Sequence, residues 1–239
     1  MRASKFLLNL APALLLISCQ TVYLPNSRNV PMLSKAGEVQ GSLSFLSGYN
    51  LQTAVALTDH FAVMGNGSYA SSREVWTDIR SKYTLGELGV GYFKNDGKIY
   101  FDLFGGYGAG KTSSSDSSLY FYRKNVSSNH HLSSVNYRKY FIQGGFGLRR
   151  KYFEGALALR FSLIDITNGT RLGSAVDVNQ SPVMFLEPAA VIRFPLKNFV
   201  LSAQVGFSEA INSYDLRYEY VPITISTGIG LRLGYKNDQ

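Results

Sequence analysis

The chain has 239 residues, with 24 Lys and Arg against 16 Asp and Glu for a formal net charge of +8, a single Cys, 16 Tyr, 15 Phe and 23 Gly. One cysteine leaves no partner for an internal disulfide, so stability must come from packing or from a closed ladder of strands. The length suits one domain, and scattered charges with no basic stripe interleaved with aromatics argue against nucleic-acid binding. Many aromatics and glycines with only 17% charged residues point to a membrane β-barrel, which carries aromatic girdles at both interfaces.

At the N-terminus Arg2 and Lys5 precede an apolar run from Phe6 to Ile17. This is the charged n-region and h-region of an export signal, at about 12 residues too short for a membrane-spanning helix of about 20. Leu16-Ile17-Ser18-Cys19 resembles a bacterial lipobox. The resemblance implies that 1–18 is a lipoprotein signal peptide, that cleavage falls before Cys19, and that this thiol carries a palmitate-type lipid pinning the new N-terminus to a membrane. No other cofactor is implied. Losing Arg2 and Lys5 lowers the formal charge from +8 to +6. The run from Thr21 to Ala36 has two prolines and no period, so 19–36 reads as a lipidated tether leading to the fold.

From residue 37 to 239 the period is two. Val39, Gly41, Leu43 and Phe45 alternate with Glu38, Gln40, Ser42 and Ser44, and Leu51, Thr53, Val55 and Leu57 alternate with Gln52, Ala54 and Ala56. Phe61 to Tyr69 repeats the pattern. Tyr83–Phe93 and Ile99–Ala109 flank Asp96-Gly97, a strong hairpin signal. Tyr137–Leu148 pairs with Tyr152–Leu163, Met184–Phe194 with Phe199–Phe207, and a last strand runs from Ile223 to Tyr235. The count is ten strands, with eight as the alternative. Short turns alternate with longer loops at 70–82, 110–136, 165–181 and 208–221, as in outer-membrane barrels, whose short turns are periplasmic and long loops external.

No stretch after the signal reaches 18 apolar residues, and open sheet edges cannot face lipid, so the reading is an all-β, closed, antiparallel, up-and-down transmembrane barrel. The rival is a lipid-anchored, lipocalin-like soluble barrel with apolar residues in its cavity; the two differ in which face is polar. In the last strand Ile223, Ile225, Ile229, Leu231 and Leu233 oppose Thr224, Ser226, Gly228, Gly230 and Arg232, and the small residues suit a narrow lumen. This alternation resembles the small OmpA-type and OmpX-type outer-membrane barrels of Gram-negative bacteria, from which the lipobox is a departure. The resemblance implies a place in the cell outer membrane. An even strand number then puts both termini on the periplasmic side, with the Cys19 lipid in the inner leaflet.

With the polar face inward, Glu38, Glu87, Asp102, Glu154 and Glu187 meet Lys139, Arg160, Arg193 and Arg232 in the lumen. Buried charges must pair, so near neutrality predicts an ion-pair plug rather than an ion path. Gly105 to Thr112 matches the phosphate-binding pattern G-x-x-x-x-G-K-[ST], but that mechanism needs a helix from Lys111 onward, and the sequence continues with a run of serines around Asp116, so no nucleotide is expected. His130 and His131 lack a third ligand at metal spacing, and His60 sits in a turn, so neither a metal site nor a nucleophilic triad assembles. Lys94, Lys98, Arg149, Arg150, Lys151, Lys197 and Lys236 gather at the short turns with Asp96 and Asp238, as headgroup charges. Tyr120, Phe121, Tyr122, Tyr214, Tyr218 and Tyr220 in the long loops are either interface aromatics or strands continuing above the bilayer. Together these readings give a non-catalytic structural or accessory subunit, anchored in outer-membrane lipid with membrane-protein partners. A small pore or ligand-binding barrel is the alternative.

Overall fold

A computed structural model describes residues 21–73, 79–121, 130–178, 180–213 and 216–234. The signal peptide, Cys19, Tyr122, Tyr214, Lys236 and Asp238 lie outside them. In chain order the strands are β1 (Val39–Leu46), β2 (Tyr49–Ala56), β3 (Phe61–Arg73), β4 (Arg80–Asn95), β5 (Ile99–Ser114), β6 (Leu119–Phe121) and β7 (His130–Leu132). Then follow β8 (Ser134–Arg149), β9 (Glu154–Arg171), β10 (Ser174–Val176), β11 (Val183–Leu196), β12 (Phe199–Phe207), β13 (Glu209–Ala210) and β14 (Ile223–Leu233).

Ten of these, β1 to β5, β8, β9, β11, β12 and β14, pair antiparallel with their neighbours, and β14 returns to β1 with Val39 opposite Leu233. The barrel is therefore closed, with ten strands and not eight. The other four are a β6–β7 hairpin and two short additions to β9 and β11 in the long loops. No helix among the described residues is long and apolar enough to cross a membrane.

Period two sorts the side chains. Leu88 and Val90 stand 73% and 67% exposed on the outer wall, while their neighbour Glu87 is buried in the lumen. The same holds around the ring: Leu51, Phe61, Leu103, Ile142, Leu157, Phe199 and Leu231 face out, and Gln52, Asp102, Gln143, Glu154 and Arg232 face in. An apolar wall around a polar interior is the inversion that only lipid stabilises, which makes this a transmembrane barrel and not a soluble one.

Short turns close one end. In the β4–β5 hairpin Gly97 takes φ +90°, the Asn95 side-chain oxygen accepts the Gly97 N–H at 2.8 Å, and Asp96 Oδ1 accepts Ile99 N–H at 2.6 Å and Lys98 N–H at 3.1 Å. Those two amides hold the exposed Asp96 carboxyl below the usual range. At the other end the strands outrun the sequence pattern. β5 reaches Ser114, β8 begins at Ser134 and β9 runs to Arg171, inside stretches that read as loops. Where the wall leaves the bilayer its outer face turns polar, so the apolar alternation stops although the backbone ladder continues, as Lys111 to Ser113 opposite Asn136 to Ser134.

The largest difference is the run from Thr21 to Ala36. It does not lead to the barrel from outside; it runs through the lumen. Tyr23 forms a parallel bridge with Tyr220 at the long-loop end, and the Leu33 carbonyl accepts from Asn95 Nδ2 at 3.2 Å beside the short turns. The chain then turns through Gly37, at φ +79°, into β1. Thr21 and Leu233 consequently sit at opposite ends of the barrel. The segment escaped the pattern because walls surround it on every side, and a chain buried all round has no period.

The phosphate-loop match falls in the middle of β5, which ladders continuously with β4 and β8. Within it Gly106 serves packing, since a side chain there overlaps Leu88 O and the Phe141 ring, whereas one at Gly86 in β4 meets open space. Gly106→Val is therefore expected to abolish the fast-migrating folded band on unheated gels and Gly86→Ala to leave it unchanged.

Candidate functional site

The chain's buried chemistry is where the N-terminal strap, Thr21 to Leu33, meets the lumen wall. An irregular segment at membrane depth needs its backbone groups satisfied by something other than a ladder. The wall supplies side chains in their place. Gln204 makes a reciprocal pair with Arg28, its Oε1 accepting the Arg28 N–H at 2.7 Å and its Nε2 donating to the Arg28 carbonyl at 2.8 Å. Gln52 donates to the Ser27 carbonyl at 2.8 Å, Gln143 to the Asn29 carbonyl at 2.7 Å, and Thr112 to the Val22 carbonyl at 2.6 Å. Arg193 donates to the carbonyls of Val30 and, at 3.1 Å, Pro31, and Arg149 to that of Met32. Alternation explains the supply, since Gln52, Gln143 and Gln204 occupy inward positions on β2, β8 and β12.

Two ion-pair groups fill the rest. Toward the long loops, Glu87 faces Lys139 at 3.0 Å and Arg160 at 3.2 Å, and accepts from Asn26 at 2.8 Å and Asn66 at 2.9 Å. Lys139 also reaches Glu187 at 3.5 Å, and the strap's Arg28 lies 3.6 Å from the same carboxylate. Glu187 further accepts the Tyr23 hydroxyl at 2.9 Å and that of Ser162 at 2.6 Å. Arg160 lies over the Phe141 ring, 4.4 Å from its centroid. Toward the short turns, Arg232 grips Glu154 with both Nη atoms, at 2.9 and 2.7 Å, and places its Nε 3.5 Å from Glu38. Arg149 joins Glu154 at 2.9 Å.

Of the residues the sequence singles out, Glu87, Arg160 and Glu187 thus converge around Lys139, and Arg232 joins Glu154 and Glu38. Asp102 accepts the Tyr100 hydroxyl at 2.7 Å, and Arg193 serves the strap carbonyls and Gln40, whose side chain donates to Glu38 at 2.6 Å. Two cations were missed. Arg28 lies in the run whose sequence reads as a tether, and Arg149, which the sequence groups with the headgroup charges, is buried. The only signal for them was the surplus of five acids over four bases. Arg150, Lys151, Lys94, Lys98 and Lys197 are exposed at the short turns.

The long loops close over the strap where it enters. Leu119, Phe121, Leu132 and Tyr218 are buried with Val22 and Tyr23 in one apolar cluster. Phe121 and Tyr218 stand 5.8 Å apart, and Tyr23 packs on Tyr137 at 5.8 Å and on Phe185 at 5.0 Å. Phe121 and Tyr218 are therefore neither free interface aromatics nor wall strands; they cap the mouth. Interior cavities between strap and wall measure about 20 Å³, lined by Asn29, Gln52, Arg193 and Arg232, and about 10 Å³ beside Asn26 and Tyr83. Each has room for roughly one water. Among the described residues no group of three or more His, Cys, Asp or Glu converges. His60 stacks on Tyr92 at the short-turn end, far from His131 in β7.

No family model matches the chain, and no curated protein does. Among solved structures, the translocator domain of the autotransporter NalP from Neisseria meningitidis aligns over 83% of this chain and 86% of its own at 12% identity, with a TM-score of 0.45. The outer membrane protease OmpT from Escherichia coli aligns over 83% and 91% at 9% identity, TM-score 0.41, and the KdgM porin over 83% and 99% at 9% identity, TM-score 0.33. These likenesses are distant.

Breaking a buried pair costs more than the pair itself contributes, because the remaining charge is stranded. Glu87→Gln leaves Lys139 and Arg160 facing a neutral group and is expected to lower unfolding free energy by about 3–5 kcal/mol. Lys98→Gln, at an exposed turn, should stay within about 0.5 kcal/mol. Urea titration in lipid vesicles followed by circular dichroism checks both.

Proposed function

We propose that the chain is an outer-membrane lipoprotein that works without catalysis, as a sealed barrel and accessory subunit of a larger envelope assembly. The observation that carries this reading is the strap. It runs through the lumen from end to end, its carbonyls are held by wall side chains, and two cavities beside it, of about 20 and 10 Å³, each admit a single water. Such an interior suits neither a solute path nor a substrate cleft.

The strap also bears on orientation. Cys19 lies four residues before Tyr23, a reach of about 14 Å at most. The apolar band of a membrane barrel is about 25 Å tall. With Tyr23 bridged to Tyr220 at the long-loop mouth, a lipid on Cys19 cannot enter the leaflet at the short-turn end. Long loops face outward in barrels of this kind, so the acyl chains belong to the external leaflet and the mature N-terminus to the cell surface. A spanning barrel needs no lipid to stay in its membrane. A lipid on the external side therefore suits the docking of partner subunits there.

A pore gated by the strap is the second reading, favoured by one fact: apart from the Tyr23–Tyr220 bridge the strap's backbone is held by wall side chains and not by a strand ladder.

Two measurements test these statements. In planar bilayers the intact protein is expected to show no single-channel steps; steady conductance by the full chain would favour the pore. A peptide tag between Gln20 and Thr21 should react with antibody on intact cells, and a tag after Gln239 only after permeabilisation. The reverse pattern sinks the surface assignment.

A further inference from the structure

The outer wall has a defect in its apolar cover. Leu51, Gly67, Gly86, Ala109 and Arg138 are successive register partners across β2, β3, β4, β5 and β8, and strand alternation turns all five outward. Three consecutive small residues thus form the floor of a trough in a surface whose exposed side chains include Leu88, Val90, Leu103 and Ile142. Tyr69, Thr84 and Lys111 bound it on the long-loop side, and Leu88, Tyr107 and Tyr140 on the other, by the same registers. Its volume is about 750 Å³. No atom lies within 4 Å of where a side chain on Gly67 or Gly86 would begin.

The trough has one charged end. Lys111 and Arg138 are both exposed on the outer wall beside the floor, and Lys82 lies one outward position beyond Thr84 toward the long loops. Asp165 stands opposite Arg138 across the β8–β9 ladder and offsets part of that charge. The depth is telling: the tyrosines mark an interfacial girdle, with purely apolar Leu88, Val90 and Leu103 below and polar Lys82, Ser113 and Asn136 above. A dent in a lipid-facing wall cannot stay empty without losing dispersion contacts on one side, and its solvent at this depth is lipid. Two cations where acyl chains give way to headgroups select a phosphate, through charge-assisted hydrogen bonds.

We propose that this trough is a binding site for a phosphate-bearing membrane lipid of the leaflet at the long-loop end. An acyl chain lies along the Gly67–Gly86–Ala109 floor and the phosphate sits between Lys111 and Arg138. The site depends only on the barrel spanning a bilayer, so it stands or falls separately from the lipid on Cys19 and from the sealed lumen. A second dent supplies the contrast. Gly144, Pro188 and Ala190, between Phe101, Phe146 and Phe207, outline about 560 Å³ with no charged lining residue, so an acyl chain there gains no headgroup selectivity.

The test is native mass spectrometry of the full-length protein in mild detergent, titrated separately with dioctanoylphosphatidic acid, dioctanoylglycerol and inorganic phosphate. One phosphatidic acid is expected to bind about tenfold more tightly than the diacylglycerol, with no retained inorganic phosphate. Lys111→Gln with Arg138→Gln should remove that preference, and Gly86→Leu, whose Cβ enters open space on the floor, should weaken binding about fivefold. Ala190→Leu in the uncharged dent should change nothing. Equal binding of diacylglycerol overturns the phosphate site, and retained inorganic phosphate overturns the lipid as its occupant. Full binding by the Lys111→Gln/Arg138→Gln protein overturns the location, and it does so whether or not Gly86→Leu folds.

Discussion

The structure depends on one constraint: a backbone group inside a bilayer has no water to bond with. Closing the sheet satisfies the wall, since β14 meets β1 along a ladder from Val39–Leu233 to Leu46–Ser226. Closure then creates the next problem. Eight strands enclose an interior that side chains alone can fill, while ten enclose somewhat more. Here the extra space holds a strap, and the strap brings its own unmatched carbonyls and amides into the lumen. Gln52, Gln143 and Gln204 exist at inward positions to answer them. Each amide side chain offers a donor and an acceptor in the plane a neighbouring strand would use, which is why Gln204 can pair both ways with Arg28.

The charges follow from the same logic. Buried ion pairs are poor sources of net stability, because desolvation offsets most of the attraction. What they supply is position. Arg28 fits where the Phe207 carbonyl, Ser208 and Glu187 converge, and one residue of slip along the strap would strand it. Asn26 and Tyr23 are fixed in the same way by Glu87 and Glu187. The two carboxylates therefore read the strap at three residues, while Lys139 ties them to each other. An all-apolar plug of equal volume would fill the lumen and leave the register undefined.

The wall was legible in the sequence because lipid imposes a strict rule on every second residue. β14 shows this most plainly, with Ile223, Ile225, Ile229, Leu231 and Leu233 outward and Thr224, Ser226, Gly228 and Arg232 inward. Inward acids and bases could be named from parity alone. Their partners could not, because pairing across the lumen depends on which strands face each other. The strap was illegible because a segment buried on all sides carries no period, and its two prolines resemble those of any linker. Arg149 shows a further limit: it is the last residue of β8 beside exposed Arg150 and Lys151, and only parity beyond the apolar run tells it from them. The outer trough needed the register itself, since Gly67, Gly86 and Ala109 are far apart in sequence and adjacent only across three strands.

The strap also limits how the barrel can form. Its C-terminal end runs through Gly37 directly into β1, one of the two strands at the closing seam. Its side chains pack closely in the lumen, and Tyr23, Arg28 and Met32 are among its fully buried residues. A finished ring of that bore does not admit bulky side chains drawn past one another. The strap must lie against the inner faces of β2, β8 and β12 before β14 reaches β1, so the ring closes around the strap. Strap and seam are then parts of one cooperative event, and the polar contacts of the lumen guide closure as well as occupy its product.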